Sequence, residues 1–112
     1  MSRIVRCGLI QATNVLGPNE PSAKIKKAMI DKHLKLIDQA AKKKVQVLCL
    51  QEIFYGPYFC AEQNTRWYEL TESVPDGPTI KLMQKVAAKH RMAIVVGRKL
   101  RPEMLRAATE RS

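Results

Sequence analysis

The stretch VQVLCLQEIFYGPYF, residues 45–59, decides how the rest of the chain is read. Its first six residues are an apolar run interrupted only by Gln46, of the length of one buried strand. The run passes into a carboxylate, Glu52, followed at once by Phe54, Tyr55 and the Gly56-Pro57 break. An unpaired charge taken out of water costs on the order of several kcal/mol, so a glutamate at the end of a buried strand is rarely there for stability. Open α/β sheets also present their chemistry at the carboxyl ends of their strands. Glu52 is therefore a candidate catalytic carboxylate, and the competing reading is a salt-bridged loop glutamate.

Upstream, residues 4–11 (IVRCGLIQ) read as a first strand, and residues 13–21 (TNVLGPNEP) as a loop set by Gly17, Pro18, Asn19 and Pro21. Ser22 is placed to cap the helix that follows. In that helix Ile25, Met29/Ile30, His33/Leu34, Leu36/Ile37 and Ala40/Ala41 recur at three- and four-residue steps, opposite a lysine-rich face. His33 is read as a boundary residue at the edge of the stripe, since no second ligand stands four residues away. A strand, a crossover helix and a strand over residues 45–50 predict a parallel pair joined right-handed.

Downstream, residues 64–72 read as a short helix carrying Trp67, Tyr68 and Leu70, with Trp67 plugging the loop against the body. VPDGP, residues 74–78, is a turn into a helix over 79–90, with Pro78 tolerated in its first turn. MAIVV, residues 92–96, is a third buried strand. The fold class is α/β, in β-α-β-α-β order with a mostly parallel sheet. No Gly-x-Gly-x-x-Gly and no Walker A sequence supports a nucleotide site. Beyond Gly97 the character changes, and residues 98–112 form a basic tail with little apolar content.

At 112 residues the chain is one domain or part of one, and 46% hydrophobic content with 27% charged is that of a folded protein. No apolar run approaches the roughly 18 residues of a membrane span, and the N-terminus lacks the pattern of a signal peptide. A cytoplasmic protein without a membrane partner is expected. The net charge of +10 raises nucleic acid as a partner. The lysines lie on the face away from the apolar stripe, with no interleaved aromatics, RNP-like sequence or zinc-finger spacing, so that reading ranks last. Cys7, Cys49 and Cys60 are odd in number and widely spaced, which predicts reduced thiols and no metal site. Cys7 and Cys49 are expected as small core residues, while Cys60 lies in the loop after Glu52.

These residues resemble a known family. A first strand ending Ile10-Gln11, a crossover helix, a strand running into Gln51-Glu52, aromatics around Gly56-Pro57-Tyr58-Phe59 and then Asp76-Gly77-Pro78-Thr79 are similar to the nitrilase, or carbon–nitrogen hydrolase, superfamily. Residues 47–90 look most like the branch containing β-ureidopropionase and the N-carbamoyl amino-acid amidohydrolases. The resemblance covers about residues 3–96 and implies a four-layer αββα sandwich with a Glu-Lys-Cys catalytic set and no cofactor. In such enzymes a cysteine thiolate attacks an amide or ureido carbon to form a covalent intermediate that water then hydrolyses. Glutamate takes the cysteine's proton and later activates the water, and lysine stabilises the tetrahedral species. Glu52 matches the general base; Phe54 and Tyr58 are candidates for lining the substrate pocket. The implied partners are a small carbamoyl or amide substrate and, in the complete enzyme, further copies in a homo-oligomer.

The chain also departs from the family. The lysine segment preceding His-Ile-Pro and the cysteine segment resembling Cys-Tyr-Asp do not occur, and Cys60 does not match the nucleophile. Residues 1–97 are accordingly expected to be a partial hydrolase domain and 98–112 a divergent tail, like that of a truncated or frame-shifted product. The resulting expectation is an N-terminal fragment of a carbon–nitrogen hydrolase, inactive alone. The alternative is a non-catalytic protein-interaction module that docks through an unpaired sheet.

Overall fold

The computed structural model describes residues 3–55 and 77–97. Their order is β1 (Cys7–Ile10), α1 (Ser22–Lys42), β2 (Val47–Leu50), α2 (Pro78–His90) and β3 (Ala93–Val95), the β-α-β-α-β order that the sequence predicts. The three strands form one parallel sheet in the order β1-β2-β3, with β2 central. The expected helix over 64–72 with Trp67, together with Tyr58, Cys60 and the basic tail, lies outside the described residues.

β2 and β3 are shorter than their apolar runs because the residues at their starts finish the preceding helices. Val45 donates its N–H to the Ala40 carbonyl and Lys44 donates to Ala41, which closes α1. Met92 and Arg91 repeat this closure on Ala87 and Ala88 at the end of α2. On β1 the ladder stops at Arg6, whose N–H is taken by the Gln46 side chain at 3.0 Å, leaving Ile4 and Val5 exposed. The Arg6 guanidinium also donates to the Lys43 carbonyl at 2.8 Å, at the end of α1.

Both closures place a basic residue in the left-handed conformation, Lys44 at φ 61° and Arg91 at φ 53°. A glycine is usual there, because a Cβ in this region costs about 1–2 kcal/mol. Lys44→Gly and Arg91→Gly are each expected to raise stability by about 0.5–1 kcal/mol, the relieved strain less the added freedom of glycine in the unfolded chain. Urea midpoints of the two variants check this, and a fall in both would refute it.

At its other end α1 differs from expectation. Ser22 is the first helical residue rather than the cap; Pro21 holds the cap position, and its carbonyl accepts from Lys24 and Ile25. Proline has no N–H to lose there and is pre-set in φ, so the helix starts without a capping side chain. Pro78 opens α2 at its first position, as expected.

Parallel register puts the strand residues into rows. Ile10 and Leu50 form one row and Gly8, Leu48 and Ile94 the next, on the side where Ile25, Met29 and Ile37 of α1 and Met83 of α2 complete the core. The alternate rows, Cys7-Val47-Ala93 and Leu9-Cys49-Val95, point to the opposite side, because successive strand residues face opposite ways. Leu9 is 67% exposed and Val95 55%. This corrects the expectation for two cysteines: Cys7 is exposed and Cys49 half-buried, both on the open face and not in the core. No helix among the described residues is long and apolar enough to cross a membrane.

Candidate active site at the carboxyl ends of the strands

The parallel strands all deliver their carboxyl ends to one edge of the sheet, so three connections leave side by side. The first two are tied together where the Gln51 side-chain oxygen accepts the N–H of Ala12. The third runs past Glu52 at Gly97, where a Cβ would lie 3.4 Å from the Glu52 Cα and 3.8 Å from its Cγ. An alanine at 97 would make ordinary contact, but any longer side chain would push on the Glu52 backbone.

Glu52 itself is exposed, in a turn that begins one residue after β2 has ended and Gln51 has passed. Among the described residues its carboxylate has no ion-pair partner; the described ion pairs, Lys27–Asp31 and Lys42–Asp38, are surface pairs one helical turn apart on α1. The next residue, Ile53, has φ 52°. For a β-branched side chain that is a true outlier, and unlike Lys44 and Arg91 it closes no helix. Strain of this kind is on the order of 1–3 kcal/mol and persists only where the surroundings impose it.

Phe54 and Tyr55 supply what imposes it. Both are wholly buried, so the chain rises to expose Glu52 and plunges back within two residues. The two rings meet edge to face at 5.2 Å, and Lys26 sits over the Tyr55 ring at 5.1 Å. Phe54 rests in turn on His33, centroid to centroid 5.0 Å at an interplanar angle of 69°. The structure thus puts Phe54 in the core behind the turn. Tyr58, the other expected lining residue, is outside the described residues.

His33 is the residue that the sequence placed least well. It is not at the boundary of the stripe but at its centre, fully buried in the series Ile25, Met29, His33, Ile37. That strict four-residue spacing was the available signal, and the polar character of the residue hid it. Its Nδ1 lies 2.8 Å from the Met29 carbonyl oxygen, which can only accept, so Nδ1 carries the proton and Nε2 is bare. Nε2 is buried and has no hydrogen-bond partner among the described residues. Burial pushes the His33 pKa below its ordinary 6.5; the bond to Met29 opposes the shift and the Lys32 charge adds to it.

A lowered folded-state pKa means that the folded chain binds fewer protons than the unfolded chain. Stability from keeping His33 neutral is therefore fully present above about pH 6.5 and declines as the pH falls below it toward the lowered folded value. Thermal melts between pH 7.5 and 5.5 should show this decline, and a His33→Leu chain should lack that part of it. Equal slopes in the two chains would rule it out.

A groove of about 590 Å³ lies elsewhere, between β1 and α1, with Gly8, Ile10, Leu36, Ala40 and Leu48 among its lining residues. Arg6, Cys7 and Lys43 also reach its lining, but no carboxylate among the described residues does, and the Glu52 edge is the candidate site. The described residues hold no cluster of His, Cys, Asp and Glu able to bind a metal ion.

The sequence pattern of carbon–nitrogen hydrolases matches residues 8–106. The chain belongs to the carbon–nitrogen hydrolase family. It is 38% identical over 93 residues to a β-ureidopropionase of Arabidopsis thaliana, which covers 83% of this chain and 22% of that protein. It is 33% identical over 67 residues to an N-carbamoylputrescine amidase of Oryza sativa subsp. japonica, 60% of this chain and 22% of that one. A citrullinase of Francisella tularensis is 29% identical over 58 residues, covering 52% and 20%. The chain thus spans about a fifth of the length of these curated relatives. Its parallel α/β unit is part of a nitrilase-type fold, and the hydrolase match runs on past Gly97 through Arg106.

Proposed function

We propose that this chain is the base-bearing N-terminal part of a carbon–nitrogen hydrolase acting on a small N-carbamoyl or amide compound. The observation that carries this is Glu52, a solvent-facing carboxylate held at the carboxyl end of the central strand by a strained turn with two buried aromatics behind it. Glu52 would take the proton of a cysteine thiol, letting the thiolate attack the carbonyl carbon, and hand that proton to the departing amine as the C–N bond breaks, which returns Glu52 to its carboxylate form. It would then take a proton from the water that cleaves the thioester. The cysteine, and the lysine that stabilises the tetrahedral oxyanion, belong to segments with no match in these 112 residues. Two relatives are named for ureido or carbamoyl substrates, which favours that class. Phe54 would back the turn from the core, and Tyr58 would form part of the pocket's rim. In the complete enzyme we expect a cytoplasmic homo-oligomer.

The open sheet face supports the partial-domain reading. Leu9, Val47, Cys49 and Val95 form an apolar surface of the kind that the second sheet of an αββα sandwich would cover. The purified chain is expected to release no ammonia from N-carbamoyl-β-alanine or simple amides. Co-expression with a polypeptide carrying the lysine and cysteine segments should restore activity. Ammonia release by the chain alone, lost in Glu52→Gln, would show instead that a complete site is already present.

The same face favours a second reading, a non-catalytic interaction module that docks through the sheet. Size-exclusion chromatography with light scattering separates a clean monomer from a dimer or soluble aggregate. A clean monomer with sharp cooperative unfolding would speak against both an exposed docking face and an incomplete domain.

A further inference from the structure

His33 raises a question that packing alone does not answer. Leucine or methionine would fill the same place in the α1 stripe, whereas a buried polar atom without a partner costs about 1–3 kcal/mol. Such a group calls for an explanation. Its one aromatic neighbour among the described residues is Phe54, and Phe54 is two residues from Glu52.

We propose that His33 is a positioning residue for Glu52: the neutral imidazole seats Phe54, and that seat holds the strained turn with the carboxylate beside Gly97. Protonation at Nε2 undoes the arrangement. The imidazolium would gain a cation–π contact with Phe54 of about 1 kcal/mol, less than the cost of stranding a charge without an acceptor. Water must then reach Nε2, and something must move to admit it.

The groups around the ring say which part moves. From its own helix His33 feels Lys32, whose ammonium is held on the Thr13 carbonyl and hydroxyl at 2.8 and 3.1 Å and repels a second positive charge. Lys26 lies across the Tyr55 ring. The sheet presents Ile10, Leu48 and Leu50 to the core, and α2 presents Thr79 and Met83, none of them charged. Glu52 is the carboxylate of the adjoining turn, and it faces solvent. Helix α1 is 21 residues long and β2 is paired on both sides, so both resist displacement. The turn carries strain at Ile53 that opening relieves. The turn is therefore the gate, and acid releases Glu52 from its position.

The functional meaning of this coupling rests on the catalytic reading of Glu52, but the coupling itself is tested without activity. In the 112-residue chain, NMR follows the His33 ring protons, their Overhauser contact with the Phe54 ring and the Glu52 amide from pH 8 to 5.5. The contact is expected at pH 8 and should vanish with the His33 midpoint, with the Glu52 amide shift moving in step. A contact that survives protonation of His33 overturns the proposal. In His33→Leu the Phe54 ring and Glu52 amide signals should not respond over this range, and a wild-type response there also overturns it. Should His33→Leu fail to fold, Phe54→Leu decides: thinning the wall should raise the His33 midpoint toward 6.5, and an unchanged midpoint overturns the coupling. A catalytically idle Glu52 would leave all these outcomes standing, so the two readings fail separately.

Discussion

Replacing Phe54 with alanine is expected to cost about 3–5 kcal/mol of folding stability. The ring is wholly buried and meets two other buried rings, at 5.0 Å from His33 and 5.2 Å from Tyr55. Its removal takes away the apolar burial of a large side chain and leaves a cavity that neighbouring rings on a helix and a tight turn are poorly placed to fill. Natural domains have only about 5–15 kcal/mol in total. Among the described residues only one face of the sheet is covered, so stability should stand low in that range and the variant approaches the threshold of unfolding at room temperature. Urea denaturation followed by helical circular dichroism measures the effect. A loss under about 1 kcal/mol would mean that the turn repacks without its anchor.

Glu52→Gln is expected to do the opposite: nothing to the fold and nearly everything to the chemistry. The side chain is exposed and has no described ion-pair partner, so its neutral isostere should change stability by no more than about 0.5 kcal/mol. Glutamine cannot accept the thiol proton, and loss of a positioned general base is worth about 10²–10⁴ in rate. The measurement is kcat of the domain reconstituted with the lysine and cysteine segments, alongside the urea midpoint of the isolated variant. Activity within about threefold of the unsubstituted domain would remove Glu52 from the base role.

The two positions also show how unevenly the site could be read. Glu52 was legible because its signal is local: a buried run, then a carboxylate, then aromatics, all contiguous in the chain. Phe54 was legible only as an aromatic near the site. Whether an aromatic in a loop turns outward to a ligand or inward to a core depends on the backbone of the residue before it. Here Ile53 takes a left-handed conformation that isoleucine disfavours, so no propensity announces the reversal. His33 was misplaced for the opposite reason. Its spacing was right for the centre of the stripe, but a titratable residue reads as a boundary residue unless the neighbour that buries it is known, and that neighbour is 21 positions along the chain.

The cysteines make the same point for the sheet. Alternation along a strand says that Cys7 and Leu9 share one face while Ile10 takes the other. It does not say which face the helices cover. That is settled where α1 and α2 come down, on the side of Ile10, Leu48 and Leu50, leaving Leu9 and Val95 in solvent.

From sequence alone came the β-α-β-α-β order, the apolar stripe of α1 and the address of Glu52 at the end of the second strand. Each follows from periodicity or turn chemistry between residues close along the chain, where covalent geometry does the constraining. Tertiary structure alone decided that Gly97 lies against Glu52, that Phe54 is seated on a buried histidine, and that Leu9 and Val95 stay exposed on the face away from the described helices. Those are contacts between distant segments, selected by burial of the whole apolar surface at once, and no local pattern contains them.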